Sequence, residues 1–352
     1  MLQVAKRVAV AVLALSAGVA VAETRLQGAG ATFPNPIYQR WVTDYQAKHP
    51  DVKIDYQSIG SGGGVKGIVE KTLDFGGSDA PMSKGELEKA GGAVIHIPTV
   101  AGAVVPAYNL SGFKGDLKLS GPVLCDIYMG KITKWNDPAI AAMNEGAALP
   151  ATPITVAYRT DGSGTTYVWS SYLATQSEEY KSSIGAGKQV KWPVGQGGKG
   201  NEGVTAIVQS VPGAIGYIEV NYATANKIPF ALVKNKAGKF IKASPETISA
   251  AGAGALEQMK KSLAVNIWDQ AGENAYPVSA FTYFLIYQDL NTSVKSAEKA
   301  QALVDFISWS VHDGQKTAKE MDYAPLADGV VAKVDEALAT LKYDGNAVKA
   351  AK

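Results

Sequence analysis

Val52-Lys53-Ile54-Asp55-Tyr56-Gln57-Ser58-Ile59-Gly60-Ser61-Gly62-Gly63-Gly64 sets apolar side chains at every second position and then breaks into small residues. Period-two alternation marks a half-buried strand, so Val52, Ile54 and Tyr56 predict a strand that ends at the glycine-rich loop 58–64. Val65, Ile68 and Val69 then recur at helical spacing. The same succession occurs twice more. Gly28-Ala29-Gly30-Ala31-Thr32-Phe33 leads into a helix with Ile37, Trp41 and Tyr45 four residues apart, beside Tyr38 and Val42. That helix opens at Pro34 and Pro36, where a missing N–H costs least. Ile154, Val156 and Tyr158 alternate up to Arg159-Thr160-Asp161-Gly162-Ser163-Gly164-Thr165, and Val168 and Tyr172 mark the helix beyond. Strands alternating with helices predict an α/β protein with largely parallel sheets, whose ligands sit outside the carboxyl ends of the strands. Each loop aims free N–H groups and hydroxyls at a point where the helix dipole adds partial positive charge. Three of them predict a socket for an oxyanion.

The chain has 352 residues, 46% hydrophobic and 19% charged, which favours two domains and a sizeable core. Lys6-Arg7, the apolar run 8–20 and the small-x-small pattern Ala20-Val21-Ala22 have the anatomy of an export signal over residues 1–22, cleaved after Ala22. The alternative is a buried N-terminal helix. Cleavage removes two of the 34 basic residues and no acid, so the remainder is balanced. A neutral protein has no bulk field for nucleic acid or anionic lipid, and any anion must be held by local geometry. Cys125 is the only cysteine, which excludes an internal disulfide and fits a buried apolar role. Leu303, Phe306, Ile307 and Ser310 form one late helical face, Val334, Leu338 and Leu341 another. Residues 250–254 read as a surface connection.

Thr32, Ser61, Ser163 and Thr165 are hydroxyls at or beside helix starts, either anion donors or ordinary helix caps. Arg159 can grip an oxyanion with two parallel bonds while Asp161 orients it; the alternative is a surface ion pair. Asp79, in Phe75-Gly76-Gly77-Ser78-Asp79-Ala80-Pro81, should repel an anion unless the ligand brings a proton to donate. Phosphate does so near neutral pH and sulfate does not; a helix cap before Pro81 is the alternative. Gly195-Gln196-Gly197-Gly198-Lys199-Gly200, with Glu219 downstream, fits a dinucleotide fingerprint, but Pro193 interrupts the strand before it. His49, His96 and His312 show no metal-ligand spacing, and neither Ser61 nor Ser163 lies in G-x-S-x-G. An exported phosphatase, a nicotinamide-dependent enzyme and a sulfate or molybdate binder remain as rival readings.

Gly28 to Pro34, Asp74 to Pro81 and Asp161 to Thr165 together resemble motifs of one family. So do Asp126 to Ile132, Trp135-Asn136-Asp137, Trp192 to Asn201 and Pro212 to Tyr217. That family is the periplasmic phosphate-binding protein of the bacterial high-affinity phosphate ATP-binding-cassette transporter. The resemblance implies a two-lobe, type II-like α/β periplasmic binding protein fold with a ligand cleft between lobes joined by hinge segments. It divides the chain into 23–101 and 275–352 for the first lobe and 102–274 for the second. It further implies that Thr32, Phe33 (through its N–H), Ser61, Asp79, Arg159, Ser163, Gly164 and Thr165 hold phosphate, with Asp161 pairing to Arg159. Family members often have a second Ser where this chain has Gly62. The implied protein is a periplasmic monomer, not an enzyme, needing no cofactor or metal. Its partners are inorganic phosphate and the importer's transmembrane permease subunits, not nucleic acid.

Overall fold

A computed structural model describes residues 23–350; the expected export signal over 1–22 lies outside them. In chain order the strands are β1 (Thr24–Gly30), β2 (Val52–Ser58), β3 (Phe75–Ser78), β4 (Val94–Tyr108), β5 (Lys118–Leu119) and β6 (Thr155–Arg159). They continue with β7 (Gln196–Gly198), β8 (Ala214–Glu219), β9 (Leu232–Lys234), β10 (Phe240–Ile241) and β11 (Ser279–Tyr287). One eight-stranded sheet runs in the order β2-β1-β3-β11-β4-β8-β6-β7, and β10-β9-β5 form a small second sheet.

The expected parallel pairing is present at both ends of the large sheet. β1 pairs in parallel with β2 and β3, and β6 pairs in parallel with β7 and β8. The middle differs: β11 is antiparallel to both β3 and β4, and β4 is antiparallel to β8. Neither middle strand advertises itself by alternation, because β11 and nearly all of β4 are buried on both faces.

β4 changes partner part-way. Val94–Ala103 pair with β11, whereas Val104–Tyr108 pair with β8. The β1–β3 group runs along β4 and the β6–β8 group runs against it, so their carboxyl ends are turned toward each other. Tyr283 of β11 pairs with both Ser78 and Pro98, and Glu219 of β8 pairs with Val104. The opposed ends are thus separated by about six residues of β4, roughly 20 Å. The small-residue loops lie in that space.

Each half has an aromatic core. Tyr38, on helix Asn35–Lys48, packs on Tyr56 and Phe284, and Phe284 packs on Phe75 and Phe306. In the other half Trp169 stacks on Tyr217 at 5.6 Å, with Tyr128 against both. The anticipated helices form: Ile37, Trp41 and Tyr45 are buried on Asn35–Lys48, Val65 and Ile68 on Ser61–Val69, and Val168 and Tyr172 on Gly164–Gln176. Leu303, Phe306, Ile307 and Ser310 are buried on Ala297–Val311. Cys125 donates from Sγ to the Leu173 carbonyl, and burial pushes its thiol up to about 12. Residues 250–254 correct the sequence expectation. Helix Pro245–Gly252 extends into them and buries Ile248 and Ala251, so apolar packing overrides the Gly/Ala composition. Among the described residues no helix is long and apolar enough to cross a membrane.

The end of β1 tolerates no side chain. Gly30 has φ +147°, and a Cβ there would lie 2.1 Å from the Gly77 carbonyl oxygen on β3. Gly30→Ala should therefore lose about 3 kcal/mol or more of unfolding free energy. Urea denaturation checks this; a wild-type midpoint would contradict the packing described.

Candidate functional site

The three loops meet. The Gly30 carbonyl accepts from the N–H groups of Ile59 (2.9 Å) and Gly60 (2.8 Å), and the Gly62 N–H donates to the Gly162 carbonyl at 2.8 Å. Such proximity needs bare backbone. A Cβ on Gly60, φ +88°, would lie 2.3 Å from Asp161 Oδ2, and one on Gly164 would lie 2.5 Å from both Ser61 Oγ and Asp79 Oδ2. Gly62 belongs to this fit, since a Cβ there would sit 3.0 Å from Gly162 Cα. The starts of helices Ser61–Val69 and Gly164–Gln176 consequently abut, with the Gly164 N–H donating to Ser61 Oγ at 3.0 Å. Two helix N-termini converge on one point, where their dipoles favour negative charge.

Arg159, at the end of β6, is buried, which rules out the surface-pair alternative; its side chain is 1% exposed and that of Asp161 13%. Its Nε and Nη2 donate to Asp161 Oδ1 (2.8 Å) and Oδ2 (2.5 Å), and its Nη1 to Thr165 Oγ1 (3.3 Å). Burial alone would push Asp161 up. The bonds and charge of Arg159, with the Gly200 N–H at 3.0 Å, outweigh it and hold the carboxyl below its ordinary value. The guanidinium is thereby fixed in plane with donors to spare.

Asp79 follows β3 and is equally buried. Its Oδ1 accepts from Thr282 Oγ1 at 2.8 Å and its Oδ2 from Ser61 Oγ at 3.4 Å, while its N–H donates to Ser61 Oγ at 3.2 Å. Burial dominates its titration: despite Thr282, Arg159 and Ser61, the carboxyl is pushed up to about 7. It is not a helix cap. Ser83 and Glu86 cap helix Lys84–Ala90 reciprocally, and the Met82 N–H goes to His96 Nε2 at 2.9 Å.

Ser163 does cap its helix, accepting from the Thr166 N–H at 2.9 Å, while its own N–H donates to the Lys188 carbonyl. Thr32 and Ser61 do not cap; Pro34 and Gly60 hold those positions without a side-chain bond. The Phe33 ring is buried beneath Gly102, whose missing Cβ would lie 2.6 Å from it. Thr32, Ser61, Asp79, Arg159, Asp161, Ser163, Gly164 and Thr165 thus share one bonded cluster or adjoin it. Its oxygens and N–H groups can surround a small anion that offers a proton to Asp79.

Residues absent from the sequence reading of the site complete it. Asn201 Nδ2 donates to Thr32 Oγ1 (2.7 Å) and Thr165 Oγ1 (3.1 Å). Tyr222 donates to the Thr32 carbonyl at 2.6 Å, and Tyr323 to the Phe33 carbonyl at 2.7 Å. Asn201 follows the glycine run that mimics a dinucleotide fingerprint; Thr282 lies inside a strand buried along its whole length and carries no local signal. The glycine run plays a different part, since residues 196–198 are β7 and Gly200 serves Asp161. Glu219 caps helix Val220–Ala225 through the Asn221 N–H, and burial holds its carboxyl well above the ordinary range. An open hollow of about 810 Å³ lined by Tyr45, His49, Trp309 and His312 contains none of the site residues.

Residues 17–313 match the PBP superfamily domain. The chain is 46% identical over 310 residues to the phosphate-binding protein PstS of Pasteurella multocida (strain Pm70), covering 88% of each chain. It is 43% identical over 312 residues to the PstS of Xylella fastidiosa (strain 9a5c), covering 88% of this chain and 84% of that one. The chain belongs to the PstS family of phosphate-binding proteins. A solved structure of a high affinity periplasmic phosphate-binding protein (PfluDING) bound with phosphate shares the fold, with TM-score 0.71 and 21% identity. That likeness covers 93% of this PstS-family chain and 96% of the other. The architecture is accordingly the α/β, type II-like fold of periplasmic binding proteins.

The raised carboxyl of Asp79 has a thermodynamic consequence. The folded protein keeps a proton that the unfolded chain, titrating near 3.8, gives up. The associated stability is complete below about pH 4 and is lost as pH rises through about 7. Asp79→Asn removes this dependence. Without ligand, the variant should match wild type at pH 4 and exceed it by up to about 4 kcal/mol at pH 8. Denaturation at the two pH values checks this; a constant difference would contradict it.

Proposed function

We propose that this chain captures inorganic phosphate in the cleft between two lobes and delivers it to the permease subunits of an ATP-binding-cassette importer. The observation that carries the reading is the burial of one carboxyl, Asp79, and one guanidinium, Arg159, among hydroxyls and helix-start N–H groups. Phosphate oxygens accept from Arg159, from the hydroxyls of Thr32, Ser61, Ser163 and Thr165, and from backbone N–H groups at Phe33, Gly164 and Thr165. The ligand's proton goes to Asp79. Identity above 40% to curated PstS proteins supports the assignment.

In this reading residues 23–101 and 275–352 form one lobe and 102–274 the other. The change of partner on β4 between Ala103 and Val104 supports that division, leaving β4 and the chain entering β11 as crossing hinges. Closure about such hinges is the general behaviour of periplasmic binding proteins. Closed contacts include the Gly62–Gly162 backbone bond and the ion pair of Glu86 with Lys188. Residues 1–22 direct export and are removed after Ala22, and the mature receptor acts as a monomer in the periplasm. The site binds without turnover. Of the histidines, His96 is engaged by Met82, and none hydrogen-bonds to Ser61 or Ser163 among the described residues.

Sulfate brings no proton, so it must meet ionised Asp79 or wait for that carboxyl to take one from water. Repulsion at 4 Å is about 4 kcal/mol at an effective dielectric of 20. Parallel calorimetric titrations should show strong preference for phosphate at pH 8, narrowing as pH falls below about 7. Asp79→Asn should narrow it at both pH values. Equal binding of both anions by the wild type at pH 8, or no phosphate binding, would defeat the proposal.

Arg159→Ala removes the cleft's cation and leaves Asp161 buried without its partner. Phosphate affinity should drop by several kcal/mol, about 10³-fold or more. A near-neutral effect by calorimetry would remove Arg159 from the ligand.

A further inference from the structure

The small sheet β10-β9-β5 contains none of the anion-site residues. Its register assigns the two faces. Leu119 pairs with Val233 and Val233 with Ile241, and these three side chains belong to or pack on the core. Successive side chains of a strand point to opposite faces, so the paired residues Lys118 with Leu232 and Lys234 with Phe240 point outward. Lys118 and Lys234 are exposed, and Leu232 and Phe240 are half-buried. The Nζ atoms of Lys118 and Lys234 both stand 5.8 Å from the centroid of the Phe240 ring. Lys242 Nζ stands 5.7 Å from that of Phe230.

The stretch Lys234-Asn235-Lys236-Ala237-Gly238-Lys239-Phe240-Ile241-Lys242 holds four lysines and no acid. Lys236, Lys239 and Lys242 have exposed acidic neighbours in Asp269, Glu273 and Asp116, at 3.8, 2.7 and 3.7 Å. Among the described residues no carboxylate lies within ion-pair distance of Lys118 or Lys234, which have only the ring face. An exposed ring attracts a cation weakly and neutralises none of its charge. The chain beyond its expected export signal is balanced, so this positive surplus is local. It is also spread out, over β5, β9, the turn after β9 and the chain beyond β10. Ammonium groups distributed over a sheet face, on stems lying beside partly exposed apolar side chains, match an extended negative surface better than a single small anion.

We infer that the outer face of β10-β9-β5 docks on an anionic phospholipid surface. The lysine heads meet lipid phosphates while Phe240 and Leu232 enter the headgroup boundary. Each lysine close to such a surface strengthens partitioning about fivefold, and the acids beside Lys236, Lys239 and Lys242 offset part of that. Binding is therefore weak, reversible and sensitive to salt. The inference goes beyond the phosphate reading and does not need it. For a receptor that serves a membrane importer, such docking confines the search for the importer to the plane of the bilayer.

The test is co-sedimentation of the purified protein with vesicles of phosphatidylcholine alone and of phosphatidylcholine mixed equally with phosphatidylglycerol. Wild type should prefer the mixed vesicles about tenfold or more in about 0.05 M NaCl and lose the preference in about 0.5 M. Lys118→Glu with Lys234→Glu should abolish the preference. Lys84→Glu with Lys295→Glu, an equal charge change at exposed positions elsewhere, should stay within about twofold of wild type. Phe240→Ser should weaken binding about threefold or more and leave its salt dependence in place. Thermal melting checks that each variant folds; if the paired glutamates prevent folding, Lys118→Gln with Lys234→Gln decides, with an expected loss of about threefold or more. Equal binding of wild type to both vesicles would overturn the inference, as would equal losses in the two glutamate pairs or an unchanged affinity in Phe240→Ser. Retention on immobilised polyglutamate without preference for the mixed vesicles would assign the face to an acidic protein and overturn lipid docking. None of these readouts depends on phosphate binding, which calorimetry tests separately.

Discussion

The antiparallel pairing of β4 with β8 on one side and β11 on the other is the constraint on which the cleft depends. Each parallel group alone would offer its loops and helix N-termini to one end of an ordinary α/β sheet. Had β4 met β8 in parallel, both groups would point their carboxyl ends the same way. Reversing one group across a single long strand turns the ends face to face. Two sets of helix starts that could each weakly attract an anion now meet, and the backbone ladder of β4 fixes their separation.

That arrangement demands close backbone contact, and glycine supplies it where side chains would collide. Gly60, Gly62 and Gly164 sit where the second and third loops press together, and the atoms a Cβ would strike include those of Ser61, Asp79 and Asp161. The polar groups enclosed are then far from water and must satisfy one another. Arg159 is held in a fork by Asp161. Asp79 has only hydroxyls and a more distant guanidinium, and its carboxyl rises accordingly. Both acids feel the charge of the same arginine, yet one is pushed down and the other up. The difference is the bidentate bond. One is the forked partner of the cation; the other keeps only hydroxyl bonds.

Much of this was legible in the sequence. Alternation at Val52, Ile54 and Tyr56 and at Ile154, Val156 and Tyr158 marks strands because those strands present unlike faces. The helices after the loops show their buried stripes in the same way. Arg159, Asp161 and Asp79 could be singled out because charged residues beside small-residue loops are chemically conspicuous. The middle strands were not legible, since residues buried on both faces show no period. Nor was the helix through 250–252, where alanine and glycine composition hid an apolar contact. Ser163 shows the limit for a single residue: its position at a helix start is local information, and its hydroxyl caps that helix.

By itself the sequence determined that strand–loop–helix units carry anion-seeking groups, because periodicity and loop chemistry are local properties of neighbouring residues. Its family motifs also determined the kind of protein. Only the tertiary structure decided that the loops converge, that Asn201 and Thr282 join them, and which lone pairs are already taken. Those facts depend on hydrogen bonds between residues far apart in the chain, such as Asn201 with Thr32 and Thr282 with Asp79. The direction of a hydroxyl is set by the donors packed around it, and no spacing along the chain records them.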